Sequence, residues 1–182
     1  MTVIYPSPIF GPVNSRRLGI SLGINLLPGD GKWCSFDCVY CECGLNKDHK
    51  PKLPLPTLEE VAEKLEHKLW EMKERGEKLD VITFSGNGEP TMHPKFPQVI
   101  DIVIALRNKY FPNAKVSVLS NSTQVHREEI RQALLKADNA IMKLDTANEG
   151  YINMVDQPNE AYNMDTVIES LEKMNGKAIV QT

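Results

Sequence analysis

Val81-Ile82-Thr83-Phe84-Ser85-Gly86-Asn87-Gly88-Glu89-Pro90, with Val99, Ile102, Val103 and Leu106 following at helical spacing, reads as a short buried strand, a polar loop and a helix. The same order recurs on both sides of it. Upstream, Ile20, Leu22 and Ile24 alternate with Ser21, Gly23 and Asn25 in a strand's period of two, and Pro28-Gly29-Asp30-Gly31 turns the chain. Thr57 with Glu60 forms a capping box, and Leu58, Val61, Ala62, Leu65, Leu69 and Met72 keep helical spacing until Gly76 stops the helix. Downstream, Val116-Ser117-Val118-Leu119 runs into Ser120-Asn121-Ser122, a helix is predicted from about Arg127 to Lys136, and Ala140-Ile141-Met142-Lys143-Leu144-Asp145 reads as a fourth strand. A helix near Thr166 to Met174 leads to a fifth, Lys177-Ala178-Ile179-Val180-Gln181.

Strands alternating with helices imply parallel β-α-β units with right-handed crossovers, hence an α/β fold. A closed barrel of eight units takes about 250 residues. The 182 residues hold about five units, which predicts an open or partial barrel in one domain spanning 1–182. The chain is expected to stop at strand five, with the carboxyl-terminal part of the barrel missing. Residues 1–19, with prolines at 6, 8 and 12, are expected to form an extended arm that packs without joining the fold. Ligands of such folds bind at the carboxyl ends of the strands, where the polar loops fall.

A net charge of −3, from 21 Lys plus Arg against 24 Asp plus Glu, argues against a surface that attracts nucleic acid or anionic lipid as a whole. No secretory signal opens the sequence and no stretch reaches transmembrane length, so no membrane association is expected. All four cysteines lie between Cys34 and Cys43, too close together for a secreted disulfide framework, and a reducing cytoplasm is the expected location.

Those cysteines have the spacing C-x3-C-x2-C-x-C, at Cys34, Cys38, Cys41 and Cys43. The first three would share one face of a helix, as three inert core thiols. The preceding turn, with Ser35, Asp37 and Gly44 in and after the run, favours a loop. A loop that gathers thiolates is a soft metal site, for an iron–sulfur cluster or for zinc; structural zinc more often draws on two separated ligand pairs.

Cys34-x3-Cys38-x-Tyr40-Cys41 resembles the signature of the radical S-adenosylmethionine enzymes. The resemblance implies a partial (β/α)6 barrel and a [4Fe–4S] cluster on Cys34, Cys38 and Cys41. It implies further that S-adenosyl-L-methionine chelates the open iron and that its reductive cleavage yields a 5′-deoxyadenosyl radical that takes hydrogen from a substrate. It implies cofactor contacts from Tyr40, from Gly86, Asn87, Gly88 and Glu89 (similar to the family's Gly-Gly-Glu-Pro segment), and from Ser120, Asn121, Lys143 and Asp145. Cys43 departs from the three-cysteine pattern and is expected to be a redox-sensitive bystander.

The run from Phe10 to Gly23 further resembles iron–sulfur oxidoreductases related to the synthases of the wyosine base of tRNA, although no cysteine precedes Cys34 here. Implied partners are an unidentified substrate, small molecule or RNA, and an electron donor such as flavodoxin or ferredoxin. The rival readings are a zinc-stabilised binding module and a cluster-binding remnant without activity. Arg16-Arg17 and His93 are expected to be solvated.

Overall fold

The structure is a computed structural model and describes residues 2–182. Six strands form one sheet in sequence order: β1 (Ile9–Ser15), β2 (Gly19–Ile24), β3 (Val81–Phe84), β4 (Lys115–Ser120), β5 (Asn139–Lys143) and β6 (Ala178–Gln181). From β2 onward every pairing is parallel. The crossovers carry α1 (Leu58–Glu74), α2 (Phe96–Tyr110), α3 (Glu128–Leu134), and then α4 (Glu149–Val155) with α5 (Met164–Glu172). This is the expected α/β architecture of five parallel strands.

Alternation along the strands sorts the two faces. Leu22, Ile24, Ile82, Phe84, Val116, Val118, Ala140 and Met142 form one apolar core with Val61, Leu65, Leu69, Phe96, Ile100, Val103, Ile130 and Leu134 of the helices. The inner face instead carries Ser21, hydrogen-bonded to Thr83 at 2.8 Å, and Asn139, which donates to Ser117 at 2.9 Å. A cavity of about 1040 Å³ opens along that face beside Asp80, Lys115, Leu119, Asn139 and Ile141. It touches none of the candidate site residues, so cavity size is a poor guide to the chemistry here.

Helix α1 shows how local sequence sets its own limits. Thr57 Oγ1 accepts from the Glu60 amide at 3.1 Å, covering one of the orphan donors of the first turn. At the other end Gly76, at φ +64°, lets its own amide reach Lys73 O and the Glu77 amide reach Met72 O, a Schellman closure.

Two expectations need correction. Residues 9–15 are not a loose arm but the edge strand β1, antiparallel to β2, with a register shift between Phe10 and Val13. Pro12 is tolerated because an edge strand with an irregularity needs no ladder donor there. Phe10 fixes the strand in place: its ring lies where a Cβ on Gly23 would stand, and Tyr5 stacks on it at 3.8 Å. The short helix α4 was not foreseen. It is capped by Asn148, whose Oδ1 accepts from the Tyr151 amide at 3.1 Å, and it brings residues 155–159 back to the cysteine loop.

Candidate functional site

The cysteine run is a loop after β2, held by polar side chains from within and by two outside segments. Asp37 Oδ1 accepts from Lys32 Nζ (3.1 Å) and from the Asn46 amide and Nδ2 (2.7 and 2.9 Å). Asn46 Oδ1 accepts from the Cys34 amide, and its Nδ2 donates to Cys34 O. The segment after α4 forms a second wall, with the Asp37 amide on Asp156 O, the Val39 amide on Val155 O and the Asn159 amide on Ser35 O. On the other side the Trp33 amide donates to Asn87 O and Trp33 O accepts from the Glu89 amide. The thiols are therefore presented by a closed scaffold.

The sulfurs divide into two kinds. Cys34 Sγ accepts from Asn121 Nδ2 at 3.5 Å and Cys38 Sγ from Lys143 Nζ at 3.2 Å. Cys43 instead donates, giving its S–H to Gly86 O at 3.3 Å. The acidities follow: burial pushes the Cys34 thiol up to about 12 and raises Cys38. The interaction with the neighbouring Cys43 side chain, helped by Lys32, brings Cys41 down to about 5, while the same interaction and burial push Cys43 up. Among the described residues no three His, Cys, Asp or Glu side chains converge closely enough for one shared metal ion.

Lys143, at the end of β5, gathers a polar cluster opposite the cysteines. Its Nζ donates to Asp156 Oδ1 at 2.8 Å, pairs with Asp145 Oδ2 at 3.1 Å, and lies 4.7 Å from the centre of the Tyr40 ring. Tyr40 OH also donates to Asp145 and, at 3.3 Å, to Asp156. Burial opposes the charge on Lys143, but the hydrogen bond to Asp156 and its other anionic neighbours hold its pKa above the ordinary lysine value. Burial likewise opposes the charge on Asp145, and the Tyr40 hydrogen bond together with Lys143 holds its carboxyl below the usual range.

The loop after β3 is held by hydrogen bonds of its own side chains. Glu89, 2% exposed, accepts from the Thr91 amide and hydroxyl, from Ser120 Oγ at 2.9 Å and from the Asn121 amide at 2.6 Å. Oε1 takes three of these bonds and Oε2 the fourth. Burial pushes its carboxyl up, and these bonds pull the other way. Glu89 thus ties the β3 loop to the turn after β4, engaging the Ser120 hydroxyl and leaving the Asn121 side chain for Cys34 and Ser35. Asn87 is fully buried and turned toward the amino-terminal segment: Oδ1 accepts from the Tyr5 amide, and Nδ2 donates to Tyr5 O and Pro28 O, each at 2.8 Å.

The glycines answer to neighbouring chain. At φ +137° a Cβ on Gly88 would stand 2.0 Å from Trp33 O, and at φ +128° one on Gly86 would meet the Asn25 side chain at 2.7 Å. Other expectations on solvation divide. His93 is buried, in contrast to the exposed loop histidine anticipated, and Arg16 and Arg17 are exposed.

Four residues were not singled out from sequence: Lys32, Asn25, Asn46 and Asp156. Lys32 and Asp156 are charged yet 1% and 3% exposed, which no local pattern announces. The nearest signal was their position, two residues before the first cysteine for Lys32 and in a loop of the α/β repeat for Asp156.

A family model described as the Radical SAM superfamily matches residues 30–180. The UPF0026 protein of Methanocaldococcus jannaschii is 31% identical over 179 residues, covering 95% of this chain and 52% of that protein. The UPF0026 protein of Helicobacter pylori (strain 26695) is 33% identical over 157 residues, covering 84% and 47%. A Brachyspira hyodysenteriae protein named GTPase Obg is 34% identical over 164 residues, covering 90% of this chain but 22% of that one. The chain thus spans about half the length of the UPF0026 relatives, and less of the third. Among solved structures, BtrN in complex with AdoMet and 2-DOIA superposes with a TM-score of 0.51 at 12% identity, covering 99% of this chain and 57% of that one. Archaeal TYW1 gives a TM-score of 0.51 at 16% identity, covering 88% and 53%. At these identities the likeness is one of fold.

Proposed function

The chain belongs to the radical SAM superfamily, and we propose that Cys34, Cys38 and Cys41 hold a [4Fe–4S] cluster beside a site for S-adenosyl-L-methionine, which is cleaved reductively to abstract hydrogen from a substrate. The observation that carries this reading is the sorting of the sulfurs. Cys34 and Cys38 are each faced by a donor, as suits cluster thiolates, whereas Cys43 turns away and donates its own hydrogen to the backbone.

When bound, the cluster supplies the electron and the cofactor supplies the reactive carbon. The chain's own groups position and enclose. Lys143 offers its cation to a carboxylate at the carboxyl end of β5, and Asp145 and Asp156 hold that cation in place. Tyr40, 54% exposed, presents a ring face beside it on which a flat heterocycle can lie. Glu89 acts by bracing: its bonds to Thr91, Ser120 and Asn121 lock the β3 loop and the β4 turn together, and Asn121 is held against Cys34. The backbone of 86–88 is left to line the site.

The substrate, small molecule or RNA, and an acidic electron carrier such as flavodoxin or ferredoxin complete the proposal, with the cytoplasm as its location. No helix among the described residues is long and apolar enough to cross a membrane.

Anaerobic reconstitution with iron and sulfide, then a strong reductant and S-adenosyl-L-methionine, tests the reading. A brown protein that slowly releases 5′-deoxyadenosine and methionine is expected. A colourless protein that takes up zinc and no iron would overturn the proposal in favour of the binding module. A brown protein that releases no 5′-deoxyadenosine, even when extended to the length of the relatives, would favour the inactive remnant.

A further inference from the structure

Lys32 is the charged side chain that the proposed chemistry leaves unused. It is 1% exposed, two residues before Cys34, and its ammonium points into the cysteine loop rather than out of it. An ammonium has three donors. One goes to Gly44 O at 2.7 Å and one to Asp37 Oδ1 at 3.1 Å, which fasten the two ends of the loop. Both acceptors adjoin cysteines of the loop, Gly44 next to Cys43 and Asp37 next to Cys38, so the buried charge lies inside the segment that presents the thiols. Burying a cation this completely is costly unless it is paired, and the anion paired with it is Asp37.

We infer that Lys32 is a positioning residue that sets the reduction potential of the cluster, by placing a buried positive charge inside the loop that carries its ligand sulfurs. The inference rests on the cysteine loop holding a cluster. The physical reason is that reduction adds a negative charge to the cluster. A fixed cation favours the more negative state, and burial magnifies the effect because little solvent screens it. Asp37 works in the opposite sense. It orients Lys32 and Asn46, but its carboxylate adds a negative charge at the same place. The pair therefore sets the potential between them, with Asp37 nearer solvent at 16% exposure.

The opposed signs make the inference testable apart from loop damage. The holoprotein, reconstituted anaerobically, is titrated with redox dyes and followed by the electron paramagnetic resonance of the reduced cluster. Lys32→Met should lower the midpoint potential, so that a smaller fraction is reduced at a given poise. Asp37→Asn, which keeps the side-chain oxygen that accepts from Lys32 and Asn46, should raise it. Iron and sulfide counts are taken on each protein, and Lys32→Gln stands in if Lys32→Met loses iron. Potentials that stay at the wild-type value, or that move the same way in both variants, overturn the inference. So does loss of iron from Lys32→Met and Lys32→Gln alike, which leaves Lys32 a loop fastener only. A wild-type protein that takes up no cluster overturns instead the reading on which the inference rests, and the inference with it.

Discussion

Replacing Asn87 by alanine is expected to cost stability rather than to remove a ligand contact, and the size of the loss can be worked out from the groups left behind. The buried amide makes three hydrogen bonds of 2.8 Å: from the Tyr5 amide, to Tyr5 O and to Pro28 O. Pro28 O belongs to a buried residue and would be left without its partner, a loss of about 1–3 kcal/mol. Tyr5 is half-buried, so its two backbone groups can recover water and lose about 0.5–1 kcal/mol each. The sum is about 2–5 kcal/mol, a large part of the roughly 5–15 kcal/mol that holds a domain together. Asn87→Asp should be at least as damaging, because a carboxylate keeps the bond from the Tyr5 amide but turns an oxygen toward two carbonyls that previously accepted. Urea unfolding followed by far-ultraviolet circular dichroism measures both, with the denaturant slope checking that unfolding stays two-state. A stability for Asn87→Ala within about 0.5 kcal/mol of wild type, the range of an ordinary surface change, would refute this account of the loop.

Three further outcomes are expected. Cys34→Ala, Cys38→Ala and Cys41→Ala should each lose the iron and sulfide that Cys43→Ala retains, since Cys43 donates to Gly86 O; equal loss in Cys43→Ala, read by metal analysis, would make it a fourth ligand. Gly88→Ala should destabilise by about 2–6 kcal/mol, adding strain at positive φ to a Cβ driven against Trp33 O, and a melting temperature unchanged from wild type would contradict it. His93 is neutral in the fold because Nε2 donates to Pro56 O and Nδ1 accepts from the Lys95 amide, and burial lowers its pKa. Its contribution is therefore complete above the unfolded histidine pKa of about 6.5 and is lost as the pH falls toward the folded value. Thermal melts from about pH 7.5 down to about pH 5.5 should show that loss in wild type and less of it in His93→Gln.

Much of the architecture could be read without coordinates because its signals are local. Thr57 and Gly76 bound α1 through bonds that reach no more than five residues, and the alternation at Ile20 to Ile24 needs only its own two faces. The loop of the cysteine run was likewise marked locally, by the preceding turn and by Ser35, Asp37 and Gly44, where the cysteine spacing alone would also suit one face of a helix. The edge strand β1 escaped because prolines speak against strand in general, and its place at the sheet margin, where they are tolerated, depends on β2 being there to pair with it.

The division within the site has the same cause. Composition and spacing said which residue types lie at the carboxyl ends of the strands, but not which way each one turns. Asn87 and Glu89 stand two residues apart in one loop, yet the first faces Tyr5, 82 residues away, and the second faces Ser120 and Asn121, 31 and 32 residues away. Asp156 meets Lys143 only because α4 returns the chain to the cysteine loop, and Lys32 becomes an internal cation only once Gly44 and Asp37 fold over it. Periodicity and capping are properties of a few neighbouring residues and survive in the bare sequence. The partner of a buried polar group is set by the packing of segments far apart along the chain, where satisfying every donor and acceptor decides the direction each side chain takes.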